Sequence, residues 1–143
     1  MRFIGITGGV GAGKSEILGY LAKKPDTRVM LADEIAHELM SPGTACYDKI
    51  SETIDTEDIF LPQGGLDRGK LAAVIFSDEA KRRQMNAIVH PAVRVYVEKE
   101  AAREKQGGKR KLLVLEAALL IEGRVDSSVL CDIVHQAVRI GRL

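Results

Sequence analysis

The residues of this sequence that could do chemistry begin at Gly8. Gly8-Gly9-Val10-Gly11-Ala12-Gly13-Lys14-Ser15 fits the spacing G-x-x-x-x-G-K-[ST]. Several backbone N–H groups can point at one anion only if the chain curls tightly, and glycines permit the dihedrals of that curl. A helix opening straight after the curl adds its free amides and its dipole to the same field. The pattern is therefore a cradle for a nucleotide polyphosphate. The amides of Gly11 to Lys14 hold phosphate oxygens, Lys14 supplies a mobile charge for the β- and γ-phosphates, and Ser15 offers a hydroxyl to Mg²⁺.

Two carboxylates stand where the same cleft would receive them. Asp33 follows the apolar run Arg28-Val29-Met30-Leu31, and Glu116 closes Leu112-Leu113-Val114-Leu115. Asp33 could take a proton from a hydroxyl nucleophile, or it could simply cap the helix that follows. Glu116 could order Mg²⁺ through water, or it could be a surface carboxylate at a strand end. Arg68, in the first turn of a helix, could meet a substrate phosphate. His90, just before Pro91, reads as a substrate ligand or as a helix cap.

The elements that must position these groups follow from periodicity. Phe3, Ile4 and Ile6 make a short strand buried on both faces, and Ile17, Leu18 and Leu21 mark one face of the helix after the loop. Lys23 and Lys24 form its basic end. A second strand at 28–31 completes a βαβ unit and predicts a parallel sheet. The stretch 112–115 is the most apolar strand and belongs at the sheet centre. A fourth strand is expected at 129–134, with a helix beginning near Gln136.

Between the strands the pattern is helical. Ile35, Ala36, Leu39 and Met40 form a stripe that breaks at Ser41-Pro42-Gly43-Thr44. A helix over Thr44 to Ile54 turns Tyr47 and Ile50 inward. Asp67 caps a helix from Arg68 to Phe76 that buries Leu71, Val74 and Ile75. A further helix starts at Ser77-Asp78 and runs towards Ile88. Another begins with Pro91 at its first position, extends to about Gln106 and ends at Gly107-Gly108. Its charges, from Glu98 to Lys105, read as a solvated face with i,i+4 pairs. The fold class is α/β: a three-layer P-loop fold with a parallel sheet. Its core is about 1–33 and 109–143, with a mostly helical insert at about 34–108 between the two parts.

Composition limits the partners. The chain of 143 residues suits one domain, and 45% hydrophobic content is enough for a core, built with only 4% aromatics. Lys+Arg 21 against Asp+Glu 20, a net charge of +1, gives no basic excess for nucleic acid. Cys46 and Cys131 fit no metal spacing and read as reduced thiols. No apolar run reaches the ~20 residues of a membrane span, and the polar, glycine-rich start is no signal peptide. The expected place is the cytoplasm.

The ordered set of motifs resembles the dephospho-coenzyme A kinases. It comprises Ile6-Thr7-Gly8 through Ser15, Ala32-Asp33-Glu34-Ile35-Ala36 with Pro42-Gly43 beyond, and Gly65-Leu66-Asp67-Arg68 with Leu71 and Ile75-Phe76. Asn86-Ala87-Ile88-Val89-His90-Pro91 follows, then Ala118-Leu119-Leu120-Ile121-Glu122 and Cys131-Asp132. The resemblance covers most of the chain. It implies transfer of the ATP γ-phosphoryl to the ribose 3′-hydroxyl of dephospho-coenzyme A, with Asp33 as base and Lys14 beside it in catalysis. It further implies that Gly9, Gly11, Ala12, Gly13, Lys14, Ser15, Glu16 and Arg142 hold ATP, that Ser15 and Glu116 hold Mg²⁺, and that Thr7, Asp33, Arg68 and His90 meet the acceptor. Three departures stand out. Glu16 replaces the usual Thr, Ala118 replaces a Pro, and the sequence stops at Arg142-Leu143, where the family's arginine-bearing lid would start. A nucleoside or nucleotide kinase, and a nucleotide-binding module without turnover, are the alternatives. A GTPase is disfavoured because no Asn-Lys-x-Asp stretch is present.

Overall fold

The computed structural model describes residues 1–6, 13–54 and 57–117. Strand β1 (Arg2–Ile6) leads to helix α1 (Lys14–Ala22), and β2 (Thr27–Leu31) runs without a break into α2 (Ala32–Leu39). Then come α3 (Ala45–Thr53), a 3-10 turn at Glu57–Ile59, α4 (Arg68–Ser77), α5 (Glu79–Gly107) and β3 (Leu112–Glu116). The expected fourth strand and the helix near Gln136 lie outside the described residues.

The sheet is parallel, in the order β1-β3-β2. β3 takes the centre, as its composition demands: Leu113, Val114 and Leu115 are fully buried, the pattern of a strand covered on both faces. β1 and β2 flank it and are not hydrogen-bonded to each other. Only Phe3 of β1 is buried, while Ile4 is 39% exposed, so the expectation of a first strand buried on both faces is corrected. Helix α1 packs against β2, but none of its residues is buried and Ile17 is 52% exposed. The apolar face read at 17, 18 and 21 therefore exists in spacing and is only lightly covered. Lys23 and Lys24 fall just past its last turn, with the Lys24 ammonium over the Tyr20 ring.

The helices between β2 and β3 close round one core. Ile35 and Ala36 of α2, Ile50 of α3, and Leu71 and Ile75 of α4 meet Met85, Val89, Val93, Val97 and Ala101 of α5. Thr44, Asp67 and Asp78 cap α3, α4 and α5, each accepting from the backbone N–H three residues on.

Two helices were expected either side of Pro91, yet α5 runs unbroken through it. The apolar residues at 85, 89, 93, 97 and 101 keep one four-residue stripe through the proline, each at most 1% exposed. Burying each is worth about 1.5–3 kcal/mol for the larger ones, against about 3 kcal/mol for an interior proline, so packing wins. Pro91 and Ala87, whose carbonyl loses its helical donor, both lie on the exposed side.

The charged end of α5 is also corrected. Glu100 is 6% exposed and Glu104 is partly buried. The Arg28 guanidinium, on β2, bonds both, at 2.6 Å to Glu100 and 2.8 Å to Glu104. Burial works to lower the pKa of Arg28, and the hydrogen bonds to Glu104 and Glu100 outweigh it and raise it. A clamp of opposite charges thus ties the end of α5 to the sheet. Gly108 ends the helix at φ 63°, a left-handed conformation that glycine adopts without strain. No described helix is long and apolar enough to cross a membrane.

Candidate active site at the carboxyl edge of the sheet

Strand register alone brings the key residues to one edge. Glu116, the last residue of β3, stands level with Ile6, the last of β1, and with Leu31, the last of β2. The segment carrying the glycine-rich loop therefore leaves the sheet beside Glu116 on one side, and Ala32-Asp33 leaves beside it on the other. The Ala117 N–H donates to the Ile6 carbonyl at 3.0 Å and holds the edge together. Ligand sites of open parallel sheets form at this edge.

Gly13 precedes α1 at φ 76°, where a side chain would be strained, and lets the chain turn into the helix. Lys14 then opens α1 and projects to the strand ends. Its Nζ lies 3.0 Å from Glu116 Oε1, and the two side chains are only 13% and 10% exposed. The reading of Glu116 as a surface carboxylate is thereby overturned. Ser15 and Glu16 follow in the first turn, both exposed. Thr7, Gly9, Gly11, Ala12 and Arg142 lie outside the described residues, as do Cys131 and the Ala118 departure.

Asp33 is not a cap. The residue before α2 is Leu31, which offers no capping side chain, and Asp33 sits inside the first turn. Its pKa is raised from the ordinary 3.8, first by burial and then by the negative Glu116, with Lys14 partly opposing. Asp33, Glu116 and Lys14 thus act on one another at the same edge. The Lys14 ammonium pairs with Glu116 and acts on Asp33 only as a nearby charge, and a cation or a proton donor placed between the two acids would be attracted.

A cavity of about 510 Å³ opens beside Asp33, between α2 and α4. Arg68 lines it from the first turn of α4, and Leu71 and Ile75 form an apolar wall. Glu34 and His37 also line it, and no sequence motif marks either as a site candidate. The signal for His37 was available: it lies one helical turn beyond Asp33 and so on the same face.

His90 stands elsewhere. It falls in the middle of α5, so it caps nothing, and it is not among the residues lining this cavity. Burial lowers its pKa below 6.5, and its Nε2 is buried with no hydrogen-bond partner. Asn86, one turn earlier, has its Oδ1 in the same condition.

Among the described residues no group of three or more His, Cys, Asp or Glu is gathered as a metal cage. Mg²⁺ asks for less: one or two protein oxygens, substrate phosphate and several waters. Ser15 and Glu116 are hard oxygen donors of that kind at the ends of neighbouring elements.

The family model described as dephospho-CoA kinase matches residues 2–142. Dephospho-CoA kinases of Symbiobacterium thermophilum and Shouchella clausii are 37% and 41% identical to it over 129 and 122 residues. These alignments cover 90% and 85% of this chain but 53% and 60% of the relatives, so the chain spans little more than half the length of those it matches. The Thermobifida fusca dephospho-CoA kinase is 35% identical, with 96% of this chain and 69% of the relative covered. Among solved structures, one from Thermus thermophilus superposes with a TM-score of 0.64 at 27% identity, covering 99% of this chain and 73% of that one. The dephospho-CoA kinase of Campylobacter jejuni, at 14% identity, shares the fold with a TM-score of 0.62 over 99% of this chain and 83% of its own.

Proposed function

Since this chain belongs to the dephospho-CoA kinase family, we propose that it carries the phosphoryl-transfer site of a cytoplasmic ATP-dependent kinase acting on the 3′-hydroxyl of dephospho-coenzyme A. The observation that carries the reading is the meeting of Lys14, Glu116 and Asp33 at the level ends of three parallel strands. Phosphoryl transfer needs chiefly positioning and charge stabilisation, and few groups suffice.

In this reading the loop from Gly9 through Gly13, with Lys14, Ser15 and Glu16 after it and Arg142 beyond, forms the ATP site. Lys14 leaves Glu116 for the β- and γ-phosphate oxygens. Ser15 and the freed Glu116 would hold Mg²⁺, which when bound supplies charge neutralisation on those oxygens. The acceptor lies in the cavity beside Asp33, within the helical insert of about 34–108, with Arg68 near its phosphates and Thr7 at the loop. Asp33 accepts the hydroxyl proton as the oxygen bonds to the γ-phosphorus, and the bond to the β-phosphate oxygen breaks to release ADP. A carboxylate whose pKa is raised is the better proton acceptor. For His90 the expected acceptor contact finds no support in the cavity lining, and a part in the helix interior fits its burial better.

The test is label transfer from γ-labelled ATP to dephospho-coenzyme A, with a nucleoside monophosphate as rival acceptor. Label in coenzyme A that disappears in Lys14→Ala supports the reading. Preference for the nucleoside monophosphate makes the chain a nucleotide kinase, and ATP binding with no transfer makes it a binding module.

A further inference from the structure

A second cavity, of about 610 Å³, lies apart from the cleft and shares none of its lining residues. It is bounded by the end of α2, the start of α3 and the outer side of α5. Its walls are apolar: Leu39, Ile88, Ala92, Val95 and Tyr96, with the Pro91 ring in place of an N–H. Val95 is among the most exposed large apolar side chains of the described residues. The volume falls within the range of ordinary small-molecule pockets.

Two lysines give the cavity its charge. Lys49 on α3 and Lys99 on α5 both line it and make no ion pair among the described residues. Neighbouring cations of α5 behave differently: Arg82, Arg83, Arg94 and Arg103 each pair with a glutamate of the same helix. No carboxylate lines the cavity. An apolar slot with two unpaired ammonium groups and no acid complements one chemical class, an apolar chain ending in an anion. From Ile88 to Lys99 the helix rises roughly 16 Å, about the length of a medium acyl chain with its carboxylate.

We propose that this cavity is a binding site for a small amphipathic anion, with the chain along Ile88, Ala92 and Val95 and the anionic end between Lys49 and Lys99. Its floor is α5, the helix that also packs on α2, where Asp33 sits. The site is independent of the kinase reading.

The probe is sodium decanoate, kept below its micelle-forming concentration and titrated into the full chain while backbone amide shifts are recorded. Saturable shifts are expected at Ala87, Ala92 and Val95. The double variant Lys49→Ala, Lys99→Ala should bind about fivefold more weakly or worse, as should decanol on the parent protein. Ala92→Phe should fill the slot and abolish the shifts while melting and ATP binding stay as in the parent. The proposal is overturned if shifts do not saturate or map elsewhere, if decanol binds as well as decanoate, or if the double variant binds normally while still folded.

Discussion

Lys14 and Glu116 come from positions 102 residues apart, yet their charged atoms meet at 3.0 Å with both side chains largely buried. Each is the other's principal partner, so a nucleotide that recruits Lys14 must first replace a carboxylate with phosphate. Glu116→Gln should cost the nucleotide-free protein about 1–3 kcal/mol, because Lys14 keeps only a neutral acceptor. With Mg²⁺ left out, ATP should then raise the melting temperature of the variant more than that of the parent, since phosphate supplies the missing anion. Equal gains in both would mean that Lys14 does not change partners.

Lys14→Ala should abolish most phosphoryl transfer and also destabilise the fold, beyond the roughly 0.5 kcal/mol expected of an exposed lysine. The reason is Glu116, left buried without its cation. In a double-mutant cycle with Glu116→Gln the two losses should fall short of additivity by about 0.5–3 kcal/mol. Additive losses would show that the pair is not coupled.

For Asp33→Asn we expect near-normal ATP binding and a rate loss of about a hundredfold or more. Stability should move the other way. Burial, then Glu116, raise the Asp33 pKa above its unfolded value. Its protonated form therefore contributes stability that is full below pH 3.8 and is lost as pH rises through the folded value. The asparagine variant lacks that loss, so its melting temperature should gain on the parent as pH rises from 3.8 through the folded value. A variant that tracks the parent across this window and phosphorylates normally would remove Asp33 from the site.

The clamp between β2 and α5 gives a test of the helix end. Arg28→Met leaves Glu100 buried and unpaired towards the sheet and should cost about 1–3 kcal/mol. Adding Glu100→Leu should restore much of the loss, because an apolar pair can replace a buried ion pair at little cost. Chemical denaturation of both variants decides; no recovery in the double variant would mean that the charges themselves hold the helix.

His90 predicts a pH effect of the opposite sign. Its folded pKa lies below 6.5, so the neutral ring contributes stability that is present above pH 6.5 and is lost as pH falls through the lowered value. His90→Asn should flatten the stability profile on the acid side of pH 6.5. An unchanged profile would mean that the ring is free to protonate in the folded protein.

The sequence by itself determined the local elements and the chemical inventory. The helix cap at Asp67, the helix start at Ser77-Asp78, the glycine stop at Gly107-Gly108, and the placing of Leu112 to Leu115 at the sheet centre all follow from short-range rules that act within a turn or a strand. The kinase motifs were legible for the same reason, since a phosphate loop is a local arrangement of backbone. What only the tertiary structure decided were relations between distant parts. Pro91 reads locally as a helix start, but the buried stripe on either side of it carries one helix through. Glu100 reads as a solvated charge until Arg28 arrives from another strand. Asp33 looks like a cap until β2 is seen to pass directly into α2. Glu116 becomes a buried partner of Lys14 rather than a surface acid because parallel register sets it level with the ends of both neighbouring strands, within reach of Lys14. Each of these depends on which side chains face one another after packing, a choice settled by burial and charge pairing across the whole core rather than by any one stretch of chain.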